Sequence, residues 1–254
     1  MTKVAFFNTK PYDEKAFSPH LKLNEDKVNA VFYESPLNID TVNLANGFDV
    51  VCVFVNDVIG RRLISTLADL GVKHIALRCA GFNNVDIEHA KKCGIDVSRV
   101  PAYSPEAVAE HSVGLMLTLA RKLHKAYNRV RDGNFELDGL QGITLNSKTV
   151  GIVGTGHIGI ATIKILNGFG CNVICYDLVQ KKEVLALGAA YEPIETLYEK
   201  SDIISLHCPL LASTHHMVNT ESLAMMKDGV MIINTSRGGS VSYTHLTLPT
   251  IYSV

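Results

Sequence analysis

The sequence has no tryptophan, and its charges almost cancel, with 24 lysines and arginines against 25 aspartates and glutamates. Because the net charge is only −1, nothing attracts nucleic acid or an anionic membrane, and we expect neither as a partner. No apolar run approaches the roughly 20 residues of a membrane-spanning helix. The apolar residues at the N-terminus form too short a run for a secretory signal and predict a first strand instead.

The six cysteines include no C-x-x-C pair and no spacing typical of disulfides. Cys52, Cys171 and Cys175 lie in or beside apolar strand-like runs, where cysteine behaves as a small hydrophobic residue. This usage is typical of the reducing cytosol, so we predict a cytoplasmic protein. The ten histidines show no H-E-x-x-H or similar spacing, and we predict no metal site.

What the chain does contain is a regular alternation of short apolar runs and helical patterns, which predicts an α/β fold with parallel sheets covered by helices. Its 254 residues, 47% hydrophobic and 19% charged, suffice for one large domain or two ordinary ones. Strands are predicted at 3–8, 28–33, 49–54, 73–77, 149–153, 172–176, 202–206 and 229–234. Helices are predicted near 11–18, 37–46, 58–70, 84–93, 104–131, 157–169, 180–187, 194–199 and 220–226.

A domain boundary is predicted near Pro101, where about four α/β units give way to one unusually long helix at 104–131. Ser104 is a suitable N-cap, Pro105 suits the first helical position, and Gly133 suits the stop. The first half of this helix is largely apolar and is expected to be buried, either within the chain or in a subunit interface. Glu110 and His111, within that half, are interpreted as a buried pair that satisfy each other.

A G-x-G-x-x-G motif lies between a β-branched apolar run and the start of an amphipathic helix. Gly154 allows a tight turn, Gly156 lets a ligand approach the backbone, and Gly159 lets the helix pack on the strand. Free N–H groups at the helix start then face an anion, so the motif predicts a dinucleotide pyrophosphate site rather than a purely structural turn. Asp177, eighteen residues beyond Gly159, ends the next apolar run, where its carboxylate can bind both ribose hydroxyls of NAD and repel the extra phosphate of NADP.

Three further segments follow predicted strands. Arg237, after the strand at 229–234, can bind a substrate carboxylate with two parallel hydrogen bonds, although a surface arginine is an equal alternative. The backbone at Cys208 and Pro209 can line the nicotinamide side of a cofactor, while His207 is more readily interpreted as a core histidine than as a catalytic acid. The segment 78–86 can offer backbone N–H groups to an anion, or be a plain turn.

Together these segments resemble the D-isomer-specific 2-hydroxyacid dehydrogenases, and within that family the NAD-dependent D-lactate dehydrogenase branch. The matching stretches are 78–86, 100–111, the glycine motif, 205–210 and 231–238, and the resemblance covers residues 1–239. It implies two doubly wound parallel-sheet domains: a flavodoxin-like substrate domain at 1–101, completed in the family by the C-terminal end, and a Rossmann NAD domain at 102–239. It also implies a 2-oxo acid substrate such as pyruvate and a homodimer when the chain is full length.

The resemblance also implies roles for individual residues. Arg237 would bind the substrate carboxylate and polarise the carbonyl. The backbone at Ala80 and Gly81 would hold the other side of the carboxylate, with Tyr103 nearby. Thr214 stands where relatives often have asparagine in the cofactor site. The implied NAD contacts are His157, Ile158, Asp177, Cys208, Pro209, Thr214, Thr235 and Ser236.

The end of the chain departs from the family, whose proton donor is a histidine paired with a glutamate well downstream of the arginine. Only seventeen residues follow Arg237, and His245 has no glutamate after it. Residues 240–254 hold several threonines, a proline and no Asp, Glu, Lys or Arg, and they resemble a translated sequencing-adapter end. We therefore expect 240–254 to be a non-native tail on an incomplete and inactive chain. The alternative function is a non-catalytic, corepressor-like NAD-binding dimer or scaffold.

Overall fold

The computed structural model describes residues 1–101 and 103–243, and the chain divides into two compact units, one ending at Tyr103 and the other beginning at Ser104. Each unit contains a five-stranded sheet, and every strand pair in both sheets is parallel. Helices connect the strands, as parallel pairing requires. The predicted α/β class with two doubly wound parallel sheets is confirmed.

The first unit has the strand order β2-β1-β3-β4-β5. The chain leaves β1 toward one edge of the sheet and returns to β3 on the other side, so the two strands form a topological switch point. The strands are β1 Thr2–Phe6, β2 Val28–Phe32, β3 Val50–Val53, β4 His74–Leu77 and β5 Asp96–Ser98. The helices are α1 Pro11–Lys22, α2 Arg61–Asp69 and α3 Ile87–Lys92, with a 3₁₀ turn at Val42–Ala45.

The second unit has the strand order β10-β9-β6-β7-β8, which is the Rossmann order and has its switch point between β6 and β9. Its strands are β6 Thr149–Val153, β7 Asn172–Tyr176, β8 Ala190–Tyr191, β9 Ile203–Leu206 and β10 Met231–Asn234. Its helices are α4 Pro105–Ala120, α5 Leu123–Arg131, α6 His157–Gly168, α7 Lys182–Ala186, α8 Ile194–Lys200 and α9 Thr220–Met225. A 3₁₀ turn spans Gly238–Ser240.

Each sheet is buried by helices because its strands are apolar on both faces. In the second unit Ile152 and Ile203 on the two central strands are fully buried, and α6 covers them with Ile163 and Leu166. In the first unit a separate core forms around residues such as Ile75. The carboxyl ends of the strands are thereby held at one edge of each sheet, where open α/β sheets bind ligands.

The prediction of one long helix at 104–131 is wrong, because α4 ends at Ala120 and α5 begins at Leu123. Lys122 between them is left-handed, with φ of 52°. The carbonyl of Ala120 accepts a hydrogen bond of 2.9 Å from the N–H of Ile143. Gly142 lies so close to this carbonyl that a Cβ there would collide with it, so the returning chain takes the place of the next helical turn.

The interpretation of Glu110 and His111 as a buried pair is also wrong, since both residues are exposed. Neighbouring residues on a helix point in different directions and do not face each other. Only one face of the apolar helix half is buried, formed by Ala109, Val113 and Met116 among others.

Smaller differences follow from the length of the elements. The helix predicted at 37–46 is only the 3₁₀ turn at Val42–Ala45, and the strands β5 and β8, of three and two residues, give no periodic signal. Within the described residues no helix is long and apolar enough to cross a membrane.

Part of the predicted non-native tail is described. Val241 pairs with Val218 in a parallel bridge, and both residues are buried. Residues 244–254, including His245, lie outside the described residues, and the non-native origin of 240–254 stays a prediction.

Candidate functional site

The glycine motif forms the turn from β6 to α6 at the switch point of the second sheet. Gly154 has φ of +96°, and a Cβ there would lie 2.7 Å from the carbonyl carbon of His207. A Cβ on Gly159 would collide with the carbonyl oxygen of Gly154. Gly156, in contrast, has no atom within 4 Å of the place where its Cβ would be. Two glycines therefore allow the turn to pack, while the third leaves open space that fits a pyrophosphate.

The start of α6 faces the same open space. Gly156 is the N-cap residue, and His157 and Ile158 follow as the first helical residues, the former exposed and the latter half-buried. The first N–H groups of a helix have no partner inside the helix, and the helix dipole makes them attractive to an anion. The turn thus combines an accessible backbone with free donors, as phosphate binding needs.

Asp177 follows β7 and is held by the turn itself. Its Oδ2 accepts hydrogen bonds from the backbone N–H of Thr155 at 2.6 Å and from the Thr155 hydroxyl at 3.0 Å. Its Oδ1 accepts from the N–H of Val179 at 3.2 Å. Burial acts to raise the pKa of this carboxyl, but the hydrogen bonds outweigh it and lower the pKa below its ordinary value. The side chain is therefore an ionised acceptor at neutral pH.

A cavity of about 380 Å³ lies beside this carboxylate, within the second unit. Its walls are largely apolar, with a few polar groups, as is usual for sites that bind organic ligands. Five of the residues that line the cavity are predicted cofactor residues, although they come from distant parts of the sequence. They are Gly154, Asp177, Cys208, Pro209 and Thr214.

Thr214 closes the loop on one side of the cavity. Its hydroxyl donates to the carbonyl of Pro209 at 2.6 Å and accepts from the N–H of Leu211 at 2.8 Å. The side chain thus holds the turn that follows β9, and the loop keeps Pro209 at the cavity wall.

His207 and Cys208, at the end of β9, are unsuited to acid or nucleophilic chemistry. His207 is within 2.9 Å of the Ser205 hydroxyl through Nε2, and burial lowers its pKa to about 4. The imidazole is therefore neutral at pH 7, as expected of a core histidine. The Cys208 thiol lies 3.7 Å from the sulfur of Met217, and burial raises its pKa, which suppresses the thiolate.

Arg237 follows β10 in a loop organised by Asn234. The Asn234 side chain accepts from the N–H and hydroxyl of Ser236 at 3.0 and 2.8 Å, and donates to the carbonyl of Arg237 at 2.8 Å. The Arg237 guanidinium donates to the carbonyl of Ser236 at 2.8 Å, and no carboxylate of the described residues forms an ion pair with it. Thr235 is tied to Ser112 of α4 by a hydroxyl–hydroxyl contact of 2.8 Å. A partly buried guanidinium is therefore available for an anion.

The loop after β4 in the first unit is held by Arg99, a residue that the sequence analysis did not predict. Arg99 donates to the carbonyl of Ala80 at 2.7 Å, and its guanidinium lies 5.2 Å from the ring centroid of Phe82. The Cys79 thiol donates to the carbonyl of Gly81 at 3.2 Å. Within the described residues the N–H groups of Ala80 and Gly81 have no acceptor, so the loop offers two backbone donors. Tyr103 is 68% exposed at the end of this unit.

Arg78 follows β4, and its side chain has a structural role that the sequence motif did not predict. Its guanidinium donates to the carbonyls of Phe7, Asn8 and Cys52 at 3.0 to 3.2 Å. It also forms an ion pair of 3.5 Å with Asp13, although only 6% of the arginine side chain is exposed. Arg78 thus joins the ends of β1 and β3 and occupies the switch point of the first sheet.

Comparison with known proteins identifies relatives along nearly the whole chain. A family model described as D-isomer specific 2-hydroxyacid dehydrogenase, NAD binding domain, matches residues 113–247. A 2-hydroxyacid dehydrogenase homolog of Haemophilus influenzae is 51% identical over 94% of this chain and 72% of its own length. The apo-structure of D-lactate dehydrogenase from Escherichia coli superposes with a TM-score of 0.87 at 47% identity, covering 96% of this chain and 77% of that one. D-lactate dehydrogenase from Aquifex aeolicus, solved with NAD and lactic acid, gives a TM-score of 0.85 at 35% identity, covering 95% and 71%.

Proposed function

Because this chain belongs to the D-isomer-specific 2-hydroxyacid dehydrogenase family, an NAD-dependent group of oxidoreductases, we propose that its reaction is the reversible reduction of pyruvate to D-lactate. The observation that carries this assignment is the intact glycine turn with Asp177 beside it, in a chain 47% identical to a D-lactate dehydrogenase over 96% of its length. Related 2-oxo acids are the competing substrates.

The second unit, which contains the NAD-binding domain, would bind the cofactor along the carboxyl edge of its sheet. NADH, when bound, supplies the hydride that reduces C2 of the 2-oxo acid. The open backbone at Gly156 and the first turn of α6 would hold the pyrophosphate, and Asp177 would accept the ribose hydroxyls. Cys208, Pro209 and Thr214 would line the cofactor site, as their place in the cavity supports.

The family resemblance implies residues that would bind the substrate carboxylate. The available guanidinium of Arg237 would bind it and polarise the adjacent carbonyl, which is the electrostatic assistance that hydride addition requires. The free N–H groups of Ala80 and Gly81 would bind the other side, with Tyr103 nearby. In this proposal residues 1–101 serve as the substrate domain and 102–239 as the NAD domain.

The proposed reaction also needs a proton donor, which the family resemblance places downstream of Arg237 as a histidine with a glutamate partner. No glutamate follows Arg237 in the sequence. We therefore infer that the 254-residue chain on its own shows little or no turnover of pyruvate, although it binds NADH. Rapid pyruvate-dependent NADH oxidation by this chain would contradict the inference.

The function is tested with the protein expressed from the intact genomic locus. Pyruvate-dependent loss of NADH absorbance, with enantiomer analysis identifying D-lactate, is the expected result. Arg237→Gln should lower kcat/KM for pyruvate by about a hundredfold or more, because a charged hydrogen bond to the reacting acid is lost. NADH binding without turnover of any 2-oxo acid would instead favour the non-catalytic scaffold.

We also propose a homodimer formed through α5 and the segment after it. The helix has no buried residue, and Leu123, Tyr127 and Val130 form one exposed apolar stripe at helical spacing. Phe135 and Leu137, 75% and 76% exposed, extend this surface. Val130→Asp should shift the sedimentation coefficient from dimer to monomer, whereas Arg131→Asp should not; a monomeric unsubstituted protein would exclude the dimer.

A further inference from the structure

A chain of hydrogen bonds ends on Asp177, its other members do not line the cavity, and the proposed function does not use it. The backbone N–H of Lys181 donates to the Tyr191 hydroxyl at 3.0 Å. That hydroxyl lies 2.8 Å from the Thr155 hydroxyl, which lies 3.0 Å from Asp177 Oδ2. Tyr191 comes from β8 and Thr155 from the glycine turn, so the bonds connect three segments of the second unit.

The direction of each bond follows from what each group can donate. The ionised carboxylate of Asp177 only accepts, so the Thr155 hydroxyl proton points to it. The Thr155 oxygen is then an acceptor toward Tyr191, whose hydroxyl proton fills that place. The Tyr191 oxygen in turn accepts from the N–H of Lys181. Every proton in this relay of hydrogen bonds, from Lys181 through Tyr191 and Thr155 to Asp177, therefore has one acceptor.

The relay rests on groups that cannot move aside easily. Thr155 is fully buried, and the ring of Tyr191 packs against the core of the second unit. The ammonium group of Lys181 also donates to the carbonyl of Thr155 at 2.9 Å. The same segment thus holds Thr155 from its carbonyl and, through Tyr191, from its hydroxyl.

The consequence is an asymmetric carboxylate. Oδ2 receives two hydrogen bonds from Thr155, at 2.6 and 3.0 Å, whereas Oδ1 receives one from Val179 at 3.2 Å. The better satisfied oxygen anchors the group, and the other keeps acceptor capacity for a ligand hydroxyl. A carboxylate fixed in this way binds a ribose diol with little further loss of conformational freedom, and it cannot turn away from a 2′-phosphate.

We propose that Tyr191 is a positioning residue for cofactor choice: through the Thr155 hydroxyl it fixes the Asp177 carboxylate so that the site selects NADH over NADPH. The inference rests on the proposed use of NAD. It adds a residue that lies outside the glycine motif and whose hydroxyl acts on the cofactor only through Thr155 and Asp177.

The test is a fluorescence titration of the 254-residue chain with NADH and with NADPH. Tyr191→Phe should raise the Kd for NADH by about three- to tenfold, the effect of one hydrogen bond, and leave the Kd for NADPH unchanged or lower. The Kd for NADPH divided by the Kd for NADH should therefore fall. Tyr33→Phe, which removes the hydroxyl of a half-buried tyrosine in the first unit, is the matched control and should leave both constants unchanged.

Changes at Thr155 locate the effect in the relay. Thr155→Ser keeps the hydroxyl and should preserve the NADH Kd, whereas Thr155→Val should raise it at least as much as Tyr191→Phe. In the double variant Tyr191→Phe/Thr155→Val, the tyrosine change should add nothing, because its acceptor is already gone. In Tyr191→Phe, NADH affinity should also be lost at a higher pH on acidification, since the carboxylate has weaker support.

Two results would overturn the inference. If Tyr191→Phe matches Tyr33→Phe, or weakens NADH and NADPH equally, the hydroxyl has only a structural role. A different result would contradict the proposed function: the unsubstituted chain would show no saturable binding of NADH. The inference about Tyr191 would then fail as well. NADH binding with selectivity that Tyr191→Phe does not alter removes the inference alone.

Discussion

The two sheets contain the same topological feature and use it in opposite ways. Between β1 and β3 of the first unit, the crevice at the carboxyl ends is occupied by the Arg78 guanidinium, which binds three main-chain carbonyls. Between β6 and β9 of the second unit, Gly154 packs against the His207 backbone and Gly156 leaves open space. Parallel sheets provide a crevice wherever the chain reverses direction, but the residues that follow the strands decide whether it is filled by the protein or kept for a ligand.

The charges of the two crevices differ as well. The first unit buries a cation that is paired with Asp13 and donates to three main-chain carbonyls, while its Nε has no hydrogen-bond acceptor among the described residues. The second places the neutral His207 beside the turn and presents the ionised carboxylate of Asp177 to the cavity, while the Lys181 ammonium donates to the Thr155 carbonyl. The first arrangement neutralises itself, whereas the second exposes hydrogen-bonding capacity to an incoming molecule. Substitutions at Arg78, at His207 and at the two glycines test this contrast, in order of decreasing effect.

Removing the guanidinium should destabilise the first unit most. Arg78→Met leaves the carboxylate of Asp13 unpaired and the carbonyls of Phe7, Asn8 and Cys52 without this donor, which should lower the free energy of unfolding by about 3–5 kcal/mol. Urea denaturation of the variant and of the unsubstituted protein measures this change in the free energy of unfolding. Arg61→Met, at an arginine 79% exposed in its surface pair, is the control and should change stability far less. Equal losses would show that Arg78 does not hold the strand ends together.

His207 should give the second unit a pH dependence that the first lacks at its crevice. Burial lowers its pKa from 6.5 to about 4, so between these pH values the unfolded chain binds a proton that the folded chain does not bind. The free energy of unfolding is therefore highest above pH 6.5, and it falls by up to about 3 kcal/mol as the pH drops toward 4. Unfolding curves between pH 7 and 4 should lose this slope in His207→Gln but not in His20→Gln on the exposed face of α1. An unchanged slope in His207→Gln would contradict the burial argument.

The two crevice glycines should separate stability from binding. Gly156→Ala adds a methyl group to open space, so it should lower the unfolding midpoint only slightly, as a weaker N-cap, and weaken NADH binding by about tenfold. Gly154→Ala should reduce both, because φ is +96° and its Cβ would lie 2.7 Å from the His207 carbonyl carbon. Gly168→Ala, with nothing within 4 Å at the end of α6, should leave NADH binding unchanged and slightly raise the unfolding midpoint, because alanine is the better helix former. If Gly156→Ala binds NADH normally, the open space is not the pyrophosphate site.

Features carried by neighbouring residues could be predicted from the sequence. The glycine turn depends on backbone freedom within six residues, and Asp177 on its place at the end of a strand. The contacts that organise the site are not local: Arg78 reaches a carbonyl 71 residues away, and Thr155 meets Tyr191 across 36 residues. Arg99 is 19 residues from the carbonyl that it holds, and nothing in its own segment signals that contact. No periodicity or motif encodes such pairings.

The helix break at Lys122 has the same origin. The segment 104–131 favours one helix by composition, but the N–H of Ile143 in the returning chain donates to the carbonyl of Ala120, and Gly142 lies against that carbonyl. By itself, the sequence determined the alternation of strands and helices, the dinucleotide turn with its acid, and the family. These depend on apolar periodicity and on the dihedral freedom of single residues. Tertiary structure alone decided which crevice stays open, which oxygen of Asp177 is anchored and where α4 ends, because hydrogen bonds between distant segments form only when the sheet brings those segments together.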